Sequence, residues 1–349
     1  MEPLVLIYPE GEPSARLEEV LQFALNGRET EVLRRAADLR PLEGRRVLFA
    51  LSLGETGINL EWCAMLAALR RSEDMLEGCV GGLLVDARSE LYTKAAAREL
   101  VFAANRCGCA FVGKALVELT ASLSNFHVLA RLWNTDRRTA SHRAARELTE
   151  RMEQYVFERA ARPEIVVLQA SSHRTSNTMA LWERVRQRLG EDCAVTEIGL
   201  RNGTLADCSG CPYAMCLHFG ETGSCFYGGV IVEEVYPALR RADAVVLICP
   251  NYNDALSANL TACVNRLTAL FRTTSFEQKA LYAIVVSGYS GGDIVAQQVL
   301  GALCLNKAFY LPPRFALVET ANDAGEALRL PGIDGRLDAF AQAMRDQLL

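Results

Sequence analysis

Short apolar runs recur along the chain, each followed by a stretch long enough for a helix. In the first half they are Leu4–Tyr8, Val47–Leu51 and Gly82–Val85. In the second half they are Ile165–Leu168, Ala194–Ile198, Ala244–Ile248 and Leu281–Val286, with a further one near Phe315–Val318. Runs that are apolar throughout belong to strands buried on both faces. Their alternation with helix-length segments predicts parallel sheets covered by helices on either side. The clearest punctuation is Ala160-Ala161-Arg162-Pro163, which follows a charged helical stretch from Arg143 to Arg159. For 349 residues two domains are expected, and this break sets them at 1–160 and 161–349.

The two halves resemble each other. Asn105-Arg106 stands ten residues before Ala115-Leu116-Val117-Glu118, and Asn306-Lys307 stands ten before Ala316-Leu317-Val318-Glu319. Val47-Leu48 leads to Asn59-Leu60 much as Val246-Leu247 leads to Asn259-Leu260. Three matches in the same order point to a diverged tandem repeat. The copies differ after their first strand: Pro9-Glu10-Gly11-Glu12-Pro13 in one, Ala170-Ser171-Ser172-His173-Arg174-Thr175-Ser176-Asn177-Thr178 in the other.

Composition narrows the function classes. With 37 basic and 42 acidic side chains the chain carries a net charge of −5, which argues against a nucleic-acid binder with a broad basic face. No apolar run approaches the length of a membrane helix, and Met1-Glu2-Pro3 opens no signal peptide, so a cytoplasmic protein is expected. In that compartment the 12 cysteines read as thiols or metal ligands, not as a disulfide framework.

The loop from Ala170 to Thr178 places hydroxyls, an amide and a cation between a buried strand and a helix start. Ser171, Ser176 and Thr178 offer hydroxyls, and Arg174 and His173 offer charge, which suits a phosphate at a helix N-terminus. The plainer alternative is that Ser and Asn only cap the helix. Two further loops follow strands in the same half, Cys249-Pro250-Asn251-Tyr252-Asn253-Asp254 and Ser287-Gly288-Tyr289-Ser290-Gly291-Gly292. Each alone is an ordinary turn. Together with the first they form a ligand constellation at the carboxyl ends of successive strands.

These residues resemble the NADPH-dependent FMN reductase family. Ala170 to Thr178 is similar to its phosphate loop. Pro250-Asn251-Tyr252-Asn253, with Leu256-Ser257-Ala258-Asn259-Leu260 and Asn265-Arg266-Leu267, is similar to its second FMN loop and following helix. Ser287-Gly288 and Gly291-Gly292 stand where its third loop meets the isoalloxazine. The resemblance spans residues 163–349, and residues 1–160 share the layout only. It implies two flavodoxin-like α/β domains in tandem, each a doubly wound parallel sheet, the N-terminal one degenerate and without a cofactor loop.

The resemblance further implies FMN held by Ser171, His173, Arg174, Ser176, Asn177 and Thr178 at the phosphate. Around the ring it implies Pro250, Asn251, Tyr252, Asn253, Ser287, Gly288, Gly291 and Gly292. NADH or NADPH would supply hydride, and a small molecule or protein would accept the electrons. The flavin carries that chemistry, so no acid–base dyad is required. His173 stands where the family usually has arginine. Asn251 and Asn253 replace apolar and aromatic residues common in the second loop.

Cys208, Cys211, Cys216 and Cys225 fall within one short segment. Thiolates so spaced can hold an iron–sulfur cluster or zinc, or stay unliganded and redox-active. Iron–sulfur flavoproteins of the same fold carry a compact cysteine cluster at this place, although with a shorter second gap. His218 is a nearby substitute ligand or a structural residue. The other cysteines read as small hydrophobes. In the first half Gly54-Glu55-Thr56-Gly57 reads as a tight turn. That half is expected to serve as a built-in partner of the flavin domain, an internal pseudo-dimer, with a homo-oligomer as the alternative.

Overall fold

The computed structural model describes residues 2–171, 175–203 and 205–349. The chain divides into two units, Met1–Val156 and Phe157–Leu349. The first contains β1 (Leu4–Ile7), α1 (Ala15–Leu25), β2 (Thr30–Leu33), β3 (Arg46–Ser52), α2 (Leu60–Arg71), β4 (Val80–Asp86), α3 (Thr93–Arg106), β5 (Ala110–Leu119), α4 (His127–Leu132) and α5 (Arg137–Gln154). The second contains β6 (Glu164–Gln169), α6 (Asn177–Leu189), β7 (Ala194–Gly199), α7 (Tyr213–Glu221), α8 (Tyr236–Arg241), β8 (Ala244–Pro250), α9 (Ala258–Leu270), β9 (Ala280–Ser287), α10 (Gly292–Leu300), β10 (Ala316–Thr320) and α11 (Ile333–Leu348).

Every strand pairing is parallel. The strand order is β2-β1-β3-β4-β5 in one sheet and β7-β6-β8-β9-β10 in the other. By position within each unit both are 2-1-3-4-5, the flavodoxin-like, doubly wound arrangement. Central strands are buried at nearly every residue, as in Ala244–Pro250 and Ala280–Ser287, because helices cover both faces. Two edge strands behave differently. β2 (Thr-Glu-Val-Leu) and β7 are half-exposed and carry Glu31 and Glu197, so β2 gives no apolar run to read. The helix expected over Arg143 to Arg159 begins and ends earlier. Asp136 starts α5 by accepting the N–H groups of Arg138 at 2.9 Å and Thr139 at 3.0 Å, and residues 155–160 lie outside any helix.

The strand registers make the internal repeat concrete. Leu83 pairs with Leu116 and Val85 with Glu118 in one sheet, while Ile284 pairs with Leu317 and Val286 with Glu319 in the other. Leu6 pairs with Leu48 as Leu168 pairs with Leu247. The first loops are equally long: Ser14 stands eight residues after Leu6, and Ser176 eight after Leu168. Both serines cap their helix, Ser14 accepting from Leu17 N–H and Ser176 from Met179 N–H.

On this alignment Arg16 takes the position of Thr178, and Asp86 that of Ser287. Arg16 fills the carboxyl edge of the first sheet. Its Nε donates to Asp86 Oδ1 at 2.6 Å, Nη1 to Thr120 O at 2.8 Å, and Nη2 to Ala87 O at 2.8 Å and Leu119 O at 3.0 Å. Tyr8, at the position of Ala170, is buried there, with Arg34 over its ring at 4.4 Å. The N-terminal unit thus closes with its own side chains the edge where such sheets take ligands.

Asp86 is only 2% exposed, so removing its partner leaves a buried, uncompensated carboxylate. Arg16→Met is expected to destabilise the N-terminal unit by about 3 kcal/mol in urea unfolding, and adding Asp86→Leu to recover most of that loss. Unchanged stability in Arg16→Met would refute the assignment.

Candidate functional site

The equivalent edge of the C-terminal unit is open. A cavity of about 520 Å³ lies at the ends of β6, β8, β9 and β10. The strand order reverses between β6 and β8, the switch point where doubly wound sheets bind ligands.

The first wall is Ser171, Thr175, Ser176, Asn177 and Thr178, at the start of α6. Ser176 does cap the helix, with Oγ 3.4 Å from Met179 N, and it also lies 2.8 Å from Thr178 Oγ1. The wall therefore presents paired hydroxyls beside the helix N–H groups. Asn177 lines the cavity, but its amide serves the protein. It donates to Asp323 O at 2.9 Å, and its Oδ1 accepts Ala327 N–H at 3.4 Å, tying α6 to the loop after β10. His173 and Arg174 lie outside the described residues.

The second wall is a tight hairpin, with Tyr252 bridged to Ala255. Its central residues, Asn253 and Asp254, have φ of 54° and 56°. A type I′ turn demands this left-handed pair, which Asn and Asp tolerate and bulky apolar residues do not. Gln298 on α10 grips the hairpin, donating to Asp254 O and accepting Leu256 N–H, both at 2.9 Å. Asn251 Nδ2 lies 3.1 Å from Asp254 Oδ1 and 3.0 Å from Ser290 O, and it also reaches Ser287 Oγ. Its Oδ1 is buried without a partner among the described residues.

The third loop contributes Gly288, Tyr289 and Ser290 to the lining. Ser287 is buried and bonded to Asn251 and to Ser290 O, so it supports the wall. Gly291 and Gly292 do not line the cavity; they shape it. Gly291 has φ +82°, and a Cβ there would stand 1.9 Å from Asp254 Oδ1. One on Gly292 would stand 2.7 Å from Val318 Cγ1.

Pro250, Asn251, Tyr252 and Asn253 all line the cavity, with Tyr252 54% exposed. So do Thr175, Asp254, Tyr289 and Ser290 of the same three loops, while Val286, Ala321 and Asn322 lie outside the loops that the sequence singled out. Asn322 belongs to the end of β10, where the polar Asn322-Asp323 after an apolar strand is the available signal. Glu326 accepts the N–H groups of Asn322 at 2.6 Å and Asp323 at 2.8 Å, and these bonds hold its carboxyl below the usual range.

The four clustered cysteines line a second cavity of about 120 Å³ with Met215, Phe219, Asn265 and Arg266. Cys216 stands on α7, not in a loop. Two α9 side chains anchor the segment. Asn265 donates to Asp207 Oδ1 at 3.1 Å, and Arg266 to Ala206 O at 3.1 Å and Gly228 O at 2.7 Å. Arg266 is 3% exposed. Arg272 is held above its usual pKa by Tyr213 and then by Cys216. Among the described residues no group of three or more His, Cys, Asp or Glu is placed to hold a metal ion. His218 is exposed, packs edge-on to Phe219, and does not line the cavity. Burial pushes the thiols of Cys263 and Cys304 up to about 12, consistent with their place in the core.

Fold and cavity define a flavodoxin-like unit with an open cavity at its switch point. Residues 163–323 match the family model described as NADPH-dependent FMN reductase, so the second half of the chain carries this domain. Among solved structures, an NAD(P)H:quinone oxidoreductase from Methanothermobacter marburgensis is 17% identical, covering 54% of this chain and 95% of that one with a TM-score of 0.39. An azoreductase from Bacillus anthracis is 15% identical over 53% of this chain and 98% of that one, TM-score 0.38. An NADH:FMN oxidoreductase in its apo form is 16% identical over 54% and 90%, TM-score 0.38. No curated protein matches the chain. No helix among the described residues is long and apolar enough to cross a membrane.

Gly291→Ala meets both a left-handed backbone and the Asp254 carboxylate. It is expected to destabilise the C-terminal unit by about 2 kcal/mol in urea unfolding, with Asp254→Gly in the same chain restoring part of the loss.

Proposed function

We propose that the C-terminal cavity binds FMN non-covalently and that the protein is a cytoplasmic oxidoreductase. It would take hydride from NADH or NADPH and pass electrons to a small-molecule or protein acceptor. The observation that carries this reading is the 520 Å³ cavity at the switch point, walled by a hydroxyl-bearing helix start and two tyrosine loops, within the segment that matches the FMN reductase family.

The residues present fit the cofactor. The N-terminus of α6, with Ser171, Ser176 and Thr178, would hold the phosphate through unpaired N–H groups, hydroxyls and the helix dipole. The orphaned Asn251 Oδ1 would accept an N–H from the ring edge. Pro250 and Tyr252 on one side and Gly288 and Tyr289 on the other would flank the ring, with the glycine admitting close backbone approach. Bound flavin supplies the hydride chemistry. The chain orients it, and the exposed faces of Tyr252 and Tyr289 leave an apolar entrance for a nicotinamide or an acceptor ring.

A second reading adds an electron-carrying iron–sulfur cluster: Cys208, Cys211, Cys216 and Cys225 line one cavity beside buried Arg266, but in this structure they are not placed to hold a metal, so the cluster would require the segment to rearrange. The N-terminal unit, its own edge closed by Arg16, would then act as a partner domain.

The full-length protein is expected to retain about one FMN per chain and to oxidise NADH or NADPH; a colourless protein that refuses FMN would sink the reading. Ser176→Gly, which keeps most of the capping stability, is expected to weaken FMN binding about tenfold by fluorescence titration. Iron and acid-labile sulfide measured on anaerobically purified protein decide the cluster: stoichiometric amounts support it, and their absence leaves FMN alone.

A further inference from the structure

Among the described residues that line the FMN cavity, Asp254 carries the one formal charge. It stands on the β8 hairpin, apart from the hydroxyl-rich loop that opens α6. Its position is fixed three ways. Asn251 Nδ2 lies 3.1 Å from its Oδ1, Gln298 Nε2 lies 2.9 Å from its backbone oxygen, and its carboxylate leans over Gly291, whose φ of +82° has no Cβ to displace it.

Local structure asks here for an acceptor to Asn251, which an uncharged amide would supply as well. The second central position of a type I′ turn favours glycine, and Asp254 sits there in left-handed backbone at φ 56°. Asp254 nonetheless places an ionisable group in the cavity wall, and no described lining cation offsets it.

On the reading that this cavity holds FMN, we infer that Asp254 sets how readily the bound flavin accepts electrons. Reduction adds negative charge to the ring system. A carboxylate fixed beside it opposes that charge and favours the oxidised flavin, the more so once the ligand has displaced water. Asp254 acts through its charge and takes no proton or hydride.

The test is the equilibrium between FMN-loaded full-length protein and a redox dye of known potential. Asp254→Asn keeps the shape and the tolerance for left-handed backbone but removes the charge; Asp254→Gly removes the charge and relaxes the backbone. Both are expected to raise the reduced-to-oxidised ratio of bound flavin about tenfold at a given poise, about 30 mV for a two-electron couple. Sulfite, an anionic adduct former, should bind more tightly to both variants. An unchanged ratio in Asp254→Asn with FMN still bound overturns the inference and leaves the FMN reading standing. If Asp254→Asn does not fold, Asp254→Gly decides in the same way. A wild-type protein that never takes up FMN removes both.

Discussion

One carboxamide ties the cavity together. The β8–β9 ladder runs one residue past its strands, with Asn251 N–H donating to Val286 O at 2.9 Å, and this last backbone bond sets the Asn251 side chain opposite Ser287. From there its amide reaches a hydroxyl and a carbonyl of the next loop and a carboxylate of its own hairpin. Two N–H groups meeting three acceptors leave no spare donor, and the carbonyl end is buried without a partner among the described residues. The donor end of one side chain thus joins two loops.

Much of this was legible in the sequence because the physics was local. Strands buried on both faces announce themselves as unbroken apolar runs, and Ala244–Pro250 and Ala280–Ser287 are such strands. β2 was not legible, since an edge strand of Thr-Glu-Val-Leu looks like any half-exposed segment. The loops were recognisable by residue type, but the division of labour within them was not. Asn177 and Ser287 read as ligand groups and turn out to brace the walls. Gly291 reads as a place for close approach to a ring, yet what approaches it is Asp254. Asn253 reads as a departure from an apolar pattern, and the backbone angle at that position explains it. Each depends on contacts across loops that no single segment encodes.

The cysteines divide along the same line. Cys249, Cys263 and Cys304 are fully enclosed and behave as small apolar groups. Cys208, Cys211, Cys216 and Cys225 gather around one cavity because Asn265 and Arg266, neighbours on α9, hold both ends of their segment. Spacing along the chain gave their proximity. It did not give Arg266, a buried cation supplied by a helix that also begins just after the Asn251 hairpin.

Arg16 and Thr178 hold the same place in two copies of one sheet, and the difference between them reaches beyond shape. In the N-terminal unit the group that satisfies the strand-end carbonyls is part of the polypeptide, made with it and never diluted. In the C-terminal unit the corresponding space is an open cavity, which on the proposed function a dissociable FMN would fill. By mass action the second unit's resistance to unfolding rises with the concentration of whatever fills it, while the first unit's does not. On that function one chain would join a body of fixed stability to one whose lifetime is coupled to the supply of its ligand.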